Sequence, residues 1–356
     1  MIDPLFWKDR KVFITGHSGF KGGWLSHCLK NLGAHVNGYA LPPNGVQSFY
    51  SQTSVKHSLF CNTFSDIRHL ENFQKAMQEA QPSIVIHLAA QPLVIDSYSN
   101  PIDTYSTNVM GVINMFEAVR SCSSVKAVLN ITTDKCYENK EQLESYTESD
   151  PMGGHDPYSA SKGCSELVTA SYRKSFFNDS GVAIASARSG NVIGGGDWAK
   201  NRIIPDAMKA FANSEKLLVR NPNSIRPWQH VLEPLFGYLM LCQQLISNPK
   251  AFSGAWNFGP SQEDSQPVSV LADIIVDSWG GDAEWEHDNG EHPHEANYLK
   301  LDCSKAKNIL KWKPIWTLDQ ALVETVKWYK AFYNNENMSI FTLKQIEKYI
   351  SNETTS

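Results

Sequence analysis

Short, unbroken apolar runs alternate with amphipathic stretches through the first half of the chain. Val12-Phe13-Ile14, Ala34 to Tyr39, Ile84 to Leu88, Ala127 to Ile131 and Val182 to Ala185 read as strands. None of them shows the period-two alternation of a half-exposed strand, so each is expected to be buried on both faces. Between them, Leu70 to Glu79, Thr107 to Val119 and Ser159 to Ser175 carry helical periodicity. Strand–helix alternation of this kind predicts an α/β protein with a doubly wound parallel sheet. From about Asn191 the pattern changes. Gly194-Gly195-Gly196 and six loop-forming prolines between Pro205 and Pro267 suggest a smaller, loop-rich lobe packed on the sheet. The expected division is residues 1–190 and mainly 191–350, with some later segments returning to the first unit. Ala321 to Phe332 reads as a late amphipathic helix, and Ser351 to Ser356 as a frayed tail.

The first strand leads directly into Thr15-Gly16-His17-Ser18-Gly19-Phe20-Lys21-Gly22, and then into a helical segment through Trp24, Leu25, Cys28 and Leu29. Strand, glycine turn and helix together set free backbone N–H groups at a helix N-terminus, which suits a pyrophosphate. Gly16 permits the tight turn, Gly19 keeps a Cβ away from the phosphates, and Gly22 allows close packing. The G-x-x-G-x-x-G spacing matches the general dinucleotide fingerprint only loosely.

Composition narrows the options. The 356 residues are 42% hydrophobic and carry a net charge of −5, enough for a large core and a poor match to nucleic acid or anionic membranes. Met1 to Lys11 lacks an apolar leader, and no run is long enough to span a bilayer. Seven scattered cysteines without a C-x-x-C pair point to reduced thiols in the cytoplasm and to no zinc site.

Ligands of open parallel sheets lie beyond the carboxyl ends of the strands. Those ends supply the glycine turn, Ala89-Ala90-Gln91, Thr132-Thr133-Asp134-Lys135 and Arg188-Ser189-Gly190-Asn191. Tyr158 and Lys162 follow at i and i+4, sharing a helix face. An ammonium beside a phenol, with a cationic ring near, is expected to lower the phenol's pKa and make Tyr158 a general base. The second strand ends at Tyr39-Ala40-Leu41 without the acidic residue that commonly binds an adenosine ribose, and without an arginine for a 2′-phosphate.

The phosphate turn, Asp66-Ile67-Arg68, Leu88 to Gln91, Thr107 to Gly111 and Tyr158-x-x-x-Lys162 resemble the extended short-chain dehydrogenase/reductase family, in its order and spacing. Arg188 to Gly194, Arg202 to Asp206, Arg226 to Val231 and Trp256 to Gly259 resemble its nucleotide-sugar branch. Gly16 to Trp24, Thr133 to Tyr137 and His292 to Ala296 narrow the likeness to the 4,6-dehydratases. The resemblance implies a Rossmann-type sheet with a C-terminal substrate lobe, NAD as cofactor, CDP-glucose as substrate, and a homodimer formed through a helix bundle. It implies that Gly16, His17, Ser18, Gly19, Phe20, Lys21 and Gly22 hold the pyrophosphate and that Asp66 and Ile67 meet the adenine. Ala89, Ala90, Gln91 and Asn108 then line the cofactor's path, joined by Tyr158 and Lys162. Asn191, Arg202, Arg220, Arg226, His230 and His294 grip the sugar nucleotide. Thr133, Asp134, Lys135, Tyr158 and Lys162 form the catalytic set. Oxidation at C4 needs a hydroxyl, a phenol and a lysine, whereas water loss needs a further acid and base, which Asp134 and Lys135 supply. Lysine acts as a base only if burial or nearby positive charge lowers its pKa. His292-Pro-His294-Glu295 reads as a nucleotide-contacting loop, not a metal site. A 4-epimerase, a dehydratase of another sugar nucleotide and a non-catalytic NAD-binding regulator remain open as alternatives on the same scaffold.

Overall fold

The computed structural model describes residues 2–355, apart from 44, 46, 141, 143, 289 and 291–298. Twelve strands are assigned among them: β1 (Lys11–Thr15), β2 (His35–Ala40), β3 (Cys61–Phe64), β4 (Ile84–His87), β5 (Ala127–Ile131), β6 (Ala183–Ser189), β7 (Asn191–Ile193), β8 (Leu217–Val219), β9 (Ile225–His230), β10 (Gly254–Phe258), β11 (Ser265–Pro267) and β12 (Trp285–His287). Seven form the central sheet in the order β10-β6-β5-β4-β1-β2-β3. Every pairing in that sheet is parallel. The order reverses between β1 and β4, which opens a crevice at their carboxyl ends. The fold is thus α/β and of Rossmann type, as the alternation predicts.

The continuous apolar runs are explained by burial on two faces. Every residue of β4 and β5 is buried. Val12, Ile14, Ile84, Ile86 and Leu129 pack on one side against the helices Phe20–Asn31 and Leu232–Ser247. Phe13, Val85, Val128 and Ile184 pack on the other with Phe73, Met115 and Phe116. The helix Pro157–Ser175 covers that second face and starts on two local signals. Asp156 accepts from Ser159 N–H at 2.9 Å, and Pro157 occupies the first turn.

Two sheet strands escape the sequence reading. β3 is a mostly exposed edge of four residues. β10 lies far along the chain yet returns to pair with β6. The remaining strands form a three-stranded sheet, β11-β9-β7, and a pair, β12-β8. The late helix is longer than read, Leu318–Tyr333, and begins with a reciprocal Thr317/Gln320 capping box. The expected frayed tail is instead helical: Met338–Thr355 continues through it. No helix among the described residues is long and apolar enough to cross a membrane.

Candidate active site

The glycine turn is built largely as its spacing suggests. Gly16 has φ +79°, and a Cβ there would lie 2.8 Å from Ala89 N. A Cβ on Gly22 would come within 2.1 Å of Gly16 O, so this glycine serves the turn more than the sheet. At Gly19 a Cβ would meet only Gly16 O, at 3.4 Å, and would otherwise project into open space. Gly19 also caps the helix Phe20–Asn31 without a side-chain hydrogen bond. The first-turn N–H groups therefore face a cradle that a Cβ would fill, and a pyrophosphate fits it. Ser18 borders the cradle, its Oγ donating to Leu41 O at 2.8 Å, and the Phe20 ring packs edge-on to Phe49.

Two side chains of this motif go elsewhere. His17 is fully buried, with Nε2 2.7 Å from Asn62 Oδ1 and its ring stacked on Phe64. Burial pushes its pKa down to about 4. The imidazole is therefore a structural wedge between β2 and β3, and only its backbone is available to a phosphate. Lys21 turns away from the phosphate cradle toward the end of β6, where Nζ donates to Ser189 Oγ at 2.8 Å. Burial, then the charge of Arg202, lowers its pKa to about 7, and Asp134 partly counters them. The resemblance assigns this lysine to the pyrophosphate; its side chain instead bonds Ser189, within the electrostatic reach of Asp134.

Beside the turn, Asn108 is buried and ties the loop after β4 to the Tyr158 helix. Its Oδ1 accepts from Gln91 N–H at 2.8 Å, and its Nδ2 donates to Gln91 O at 3.1 Å and Ser161 Oγ at 2.9 Å. Asn108 thus clamps Gln91, while Ala89 N–H is held by Thr15 Oγ1. The Asp66 carboxylate is paired with Arg68, whose Nη2 lies 2.6 Å from Oδ2. Ile67 is buried against Gly111, so its side chain contributes packing.

The acid–base groups converge beyond β5 and β6. Thr133 Oγ1 donates to Asp134 Oδ1 at 2.9 Å and faces the Tyr158 phenol. Asp134 is 1% exposed, and its Oδ2 has no hydrogen-bond partner among the described residues. Burial raises its pKa against the pull of Lys135, Thr133, Arg226 and Lys21. Such a carboxyl holds a proton more readily than a surface aspartate and has a free oxygen to deliver it. Taken together, the protein's own groups do not lower the Tyr158 pKa. Burial pushes its pKa up to about 12, with Thr133 and Arg202 pulling down and Asp134 pushing up. Lys162 acts less on the phenol than the i, i+4 spacing suggests. Its Nζ donates to Ile131 O at 3.3 Å, and burial lowers its pKa to about 8 while Glu166 opposes the shift. Lys135 is exposed.

Of the expected substrate contacts, Arg202 and Arg226 lie nearest the chemistry. Arg202 pairs with Asp197 at 2.8 Å, and its charge acts on Tyr158 and Lys21. Arg226 stands on β9 and bears on Asp134. Asn191, on β7, is partly exposed beside them. Arg220 is farther out, donating to Asn201 O at 3.1 Å. His230 does not join them. It is fully buried, 4.8 Å from the Trp316 ring centroid and 5.8 Å from that of Trp24, and burial drops its pKa to about 3. This histidine is a core residue. His294 lies outside the described residues. Among those described, no cluster of His, Cys, Asp and Glu could hold a metal. Glu166, missed in the sequence, binds Arg188 in the floor of the site; only a glutamate four residues after Lys162 hinted at it.

Comparison with known proteins places these features in context. A family model described as GDP-mannose 4,6 dehydratase matches residues 13–325. CDP-glucose 4,6-dehydratase of Salmonella typhimurium is 51% identical, over 99% of this chain and 100% of that protein. Among solved structures, dTDP-glucose 4,6-dehydratase of Bacillus anthracis in complex with NAD superposes with TM-score 0.75 at 20% identity, over 92% of this chain and 98% of that one. UDP-glucose 4-epimerase of Thermotoga maritima with UDP-glucose gives TM-score 0.76 at 18% identity, over 90% and 99%.

Proposed function

Because the chain belongs to the GDP-mannose 4,6 dehydratase family, we propose that it converts CDP-D-glucose to CDP-4-dehydro-6-deoxy-D-glucose and water, with NAD as its resident cofactor. The 51% identity to a CDP-glucose enzyme supports the substrate. The observation that carries the reaction type is Asp134: a buried carboxyl with a free oxygen and a raised pKa, touching Thr133 and near Tyr158. A 4-epimerase has no leaving hydroxyl to protonate and needs no such acid. The Gly16–Gly22 cradle, open at Gly19, supports the dinucleotide.

NAD held here would supply hydride-transfer chemistry and the positive charge that a phenol pushed up to about 12 needs before it serves as a base. Tyr158 takes the C4 hydroxyl proton while Thr133 hydrogen-bonds the same oxygen. Lys162 steadies the phenolate and the nicotinamide ribose. With C4 a ketone, the C5 proton is acidic, and Lys135 removes it once substrate covers that exposed side chain. Asp134 protonates the departing C6 hydroxyl, and a proton returns to C5. Gly16, Ser18, Gly19, Phe20 and Gly22, with the backbone of His17, cradle the pyrophosphate; Asp66 and Ile67 flank the adenine. Asn191, Arg202, Arg220, Arg226 and His294 hold the sugar nucleotide, mainly from the lobe 191–350 on the dinucleotide-binding unit 1–190.

A homodimer is supported by exposed apolar side chains on adjoining helices, Ile102 at 85%, Leu167 at 61% and Tyr98 at 61%. Seven unpaired cysteines suit the reducing cytoplasm. The test is incubation with CDP-, dTDP-, UDP- and GDP-glucose and mass analysis of the products. Loss of one water from CDP-glucose, well ahead of the other three, supports the reading. A product of unchanged mass, or preference for another nucleotide, overturns it.

A further inference from the structure

Thr15, His87 and Asn130 stand side by side across the sheet, as register partners on β1, β4 and β5. They form a polar row beneath the Pro157–Ser175 helix, and their hydrogen bonds fix where the protons lie. Thr15 Oγ1 accepts from Leu88 N–H and Ala89 N–H, both at 3.1 Å. With both lone pairs used, its own hydrogen goes to His87 Nδ1, 2.8 Å away. His87 is 2% exposed and is kept neutral by burial and by the charge of Lys162. Its remaining proton therefore sits on Nε2, as a donor.

The neighbouring amide is fixed in the same way. Asn130 Nδ2 donates to Ser165 Oγ at 3.0 Å and to Thr169 Oγ1 at 2.8 Å. Thr169 spends its own hydroxyl hydrogen on Ser165 O, so it faces Asn130 as an acceptor and the amide orientation is determined. Asn130 Oδ1 is left as an acceptor. Both His87 Nε2 and Asn130 Oδ1 are buried without a hydrogen-bond partner among the described residues. A donor and an acceptor on adjacent strands that do not bond each other are matched by one water. Lys162 supplies a third partner, since among the described residues its ammonium bonds Ile131 O alone.

We propose that His87 and Asn130 hold one buried water against the ammonium of Lys162, and that His87 is thereby a positioning residue for the Tyr158–Lys162 pair. The water accepts from His87 Nε2–H and from Lys162 and donates to Asn130 Oδ1, about three bonds being usual for a buried water. It anchors the lysine from below and leaves its other hydrogens for the groups above. Lys162 also faces Glu166 on its own helix, Cys136 in the turn after β5, and Lys21 from the Phe20–Asn31 helix. Of these, Glu166 and Cys136 favour its charged form, as an accepting water does.

The catalytic consequence rests on the proposed reaction; the water does not. A crystal structure of the NAD-loaded protein, at a resolution that shows ordered water, is expected to place density about 2.7–3.2 Å from His87 Nε2, Asn130 Oδ1 and Lys162 Nζ. His87→Phe is expected to lower kcat about tenfold or more with KM for CDP-glucose held, because the water is released and with it one hydrogen bond of the Lys162 ammonium. The basic limb of its pH profile should move to lower pH, because the ammonium loses an acceptor. His87→Gln keeps a donor and should restore both. A wild-type map without that density overturns the proposal whatever the variants do. So does a His87→Phe enzyme with the wild-type profile. An enzyme inactive toward every nucleotide glucose, with the water present, would count against the reaction and leave the water standing.

Discussion

Glu166 and Arg188 form the floor beneath the catalytic groups, and separating them should cost more than any surface change. Each side chain is only 4% exposed. Glu166 Oε1 accepts from Thr132 Oγ1 at 2.5 Å and Arg188 Nε at 2.9 Å; Oε2 accepts from Ser186 Oγ at 2.6 Å and Arg188 Nη2 at 2.9 Å. Arg188 Nη1 continues to the Tyr137 hydroxyl at 2.7 Å. Glu166→Ala removes four acceptor bonds and leaves a guanidinium buried with little compensation. Breaking a buried pair from one side costs about 3–5 kcal/mol, a large part of the ~5–15 kcal/mol that holds a typical protein folded. The double variant Glu166→Met/Arg188→Met removes the charge along with its partner and should recover most of that loss. Burial works to raise the Glu166 pKa, but the bonds from Arg188, Ser186 and Thr132 win and hold it below 4.5. Its contribution is therefore complete above pH 4.5 and is lost as pH falls through the lower folded value. Urea unfolding followed by tryptophan fluorescence measures each term. A single-variant cost under about 1 kcal/mol, in the range of exposed pairs, would refute the reasoning.

Asp134→Asn should keep oxidation at C4 but lose the acid, lowering dehydration by about 10²–10⁴-fold; stopped-flow absorbance should then show reduced cofactor forming without onward turnover. Tyr158→Phe should lose the reduced cofactor as well, by a similar factor. Gly16→Ala places a Cβ 2.8 Å from Ala89 N at φ +79°. It should cost at least about 1–2 kcal/mol and weaken NAD binding, read by thermal melts with and without NAD. Glu233 is fully buried; it accepts from Ile315 N–H, Trp316 N–H and the Tyr349 hydroxyl, and burial raises its pKa to about 7. The unfolded state releases this proton first, so stability should fall by about 3 kcal/mol as pH rises from 4.5 to 7. Glu233→Gln should flatten that slope in urea titrations at a series of pH values.

The sheet was legible because its strands are buried on both faces, and an unbroken apolar run as short as Ile84–His87, flanked by helical periodicity, fits little besides such a strand. Cys61–Phe64 was not legible, since an exposed edge needs no apolar run. Gly254–Phe258 was missed as a sheet strand because its partner, β6, lies some seventy residues earlier in the chain. In the site, backbone requirements showed in the sequence: Gly16 and Gly22 are where a Cβ cannot go. Side-chain destinations did not. His17 and His230 are polar by composition, yet one wedges between strands and the other sits between two tryptophans. Lys21 lies within the phosphate-turn motif yet reaches Ser189 across the crevice. Only tertiary packing decides such directions. Burial, which spacing along the chain does not show, likewise raises the Tyr158 pKa against the pull of Thr133 and Arg202.

The central claim is that one hydride leaves C4 and returns to C6 of the same hexose while Asp134 expels the C6 hydroxyl. CDP-glucose deuterated at C4 tests it most directly. Mass and NMR analysis should find the deuterium at C6 of a product lighter by one water. Deuterium retained at C4, or lost to solvent with water eliminated, would contradict the account.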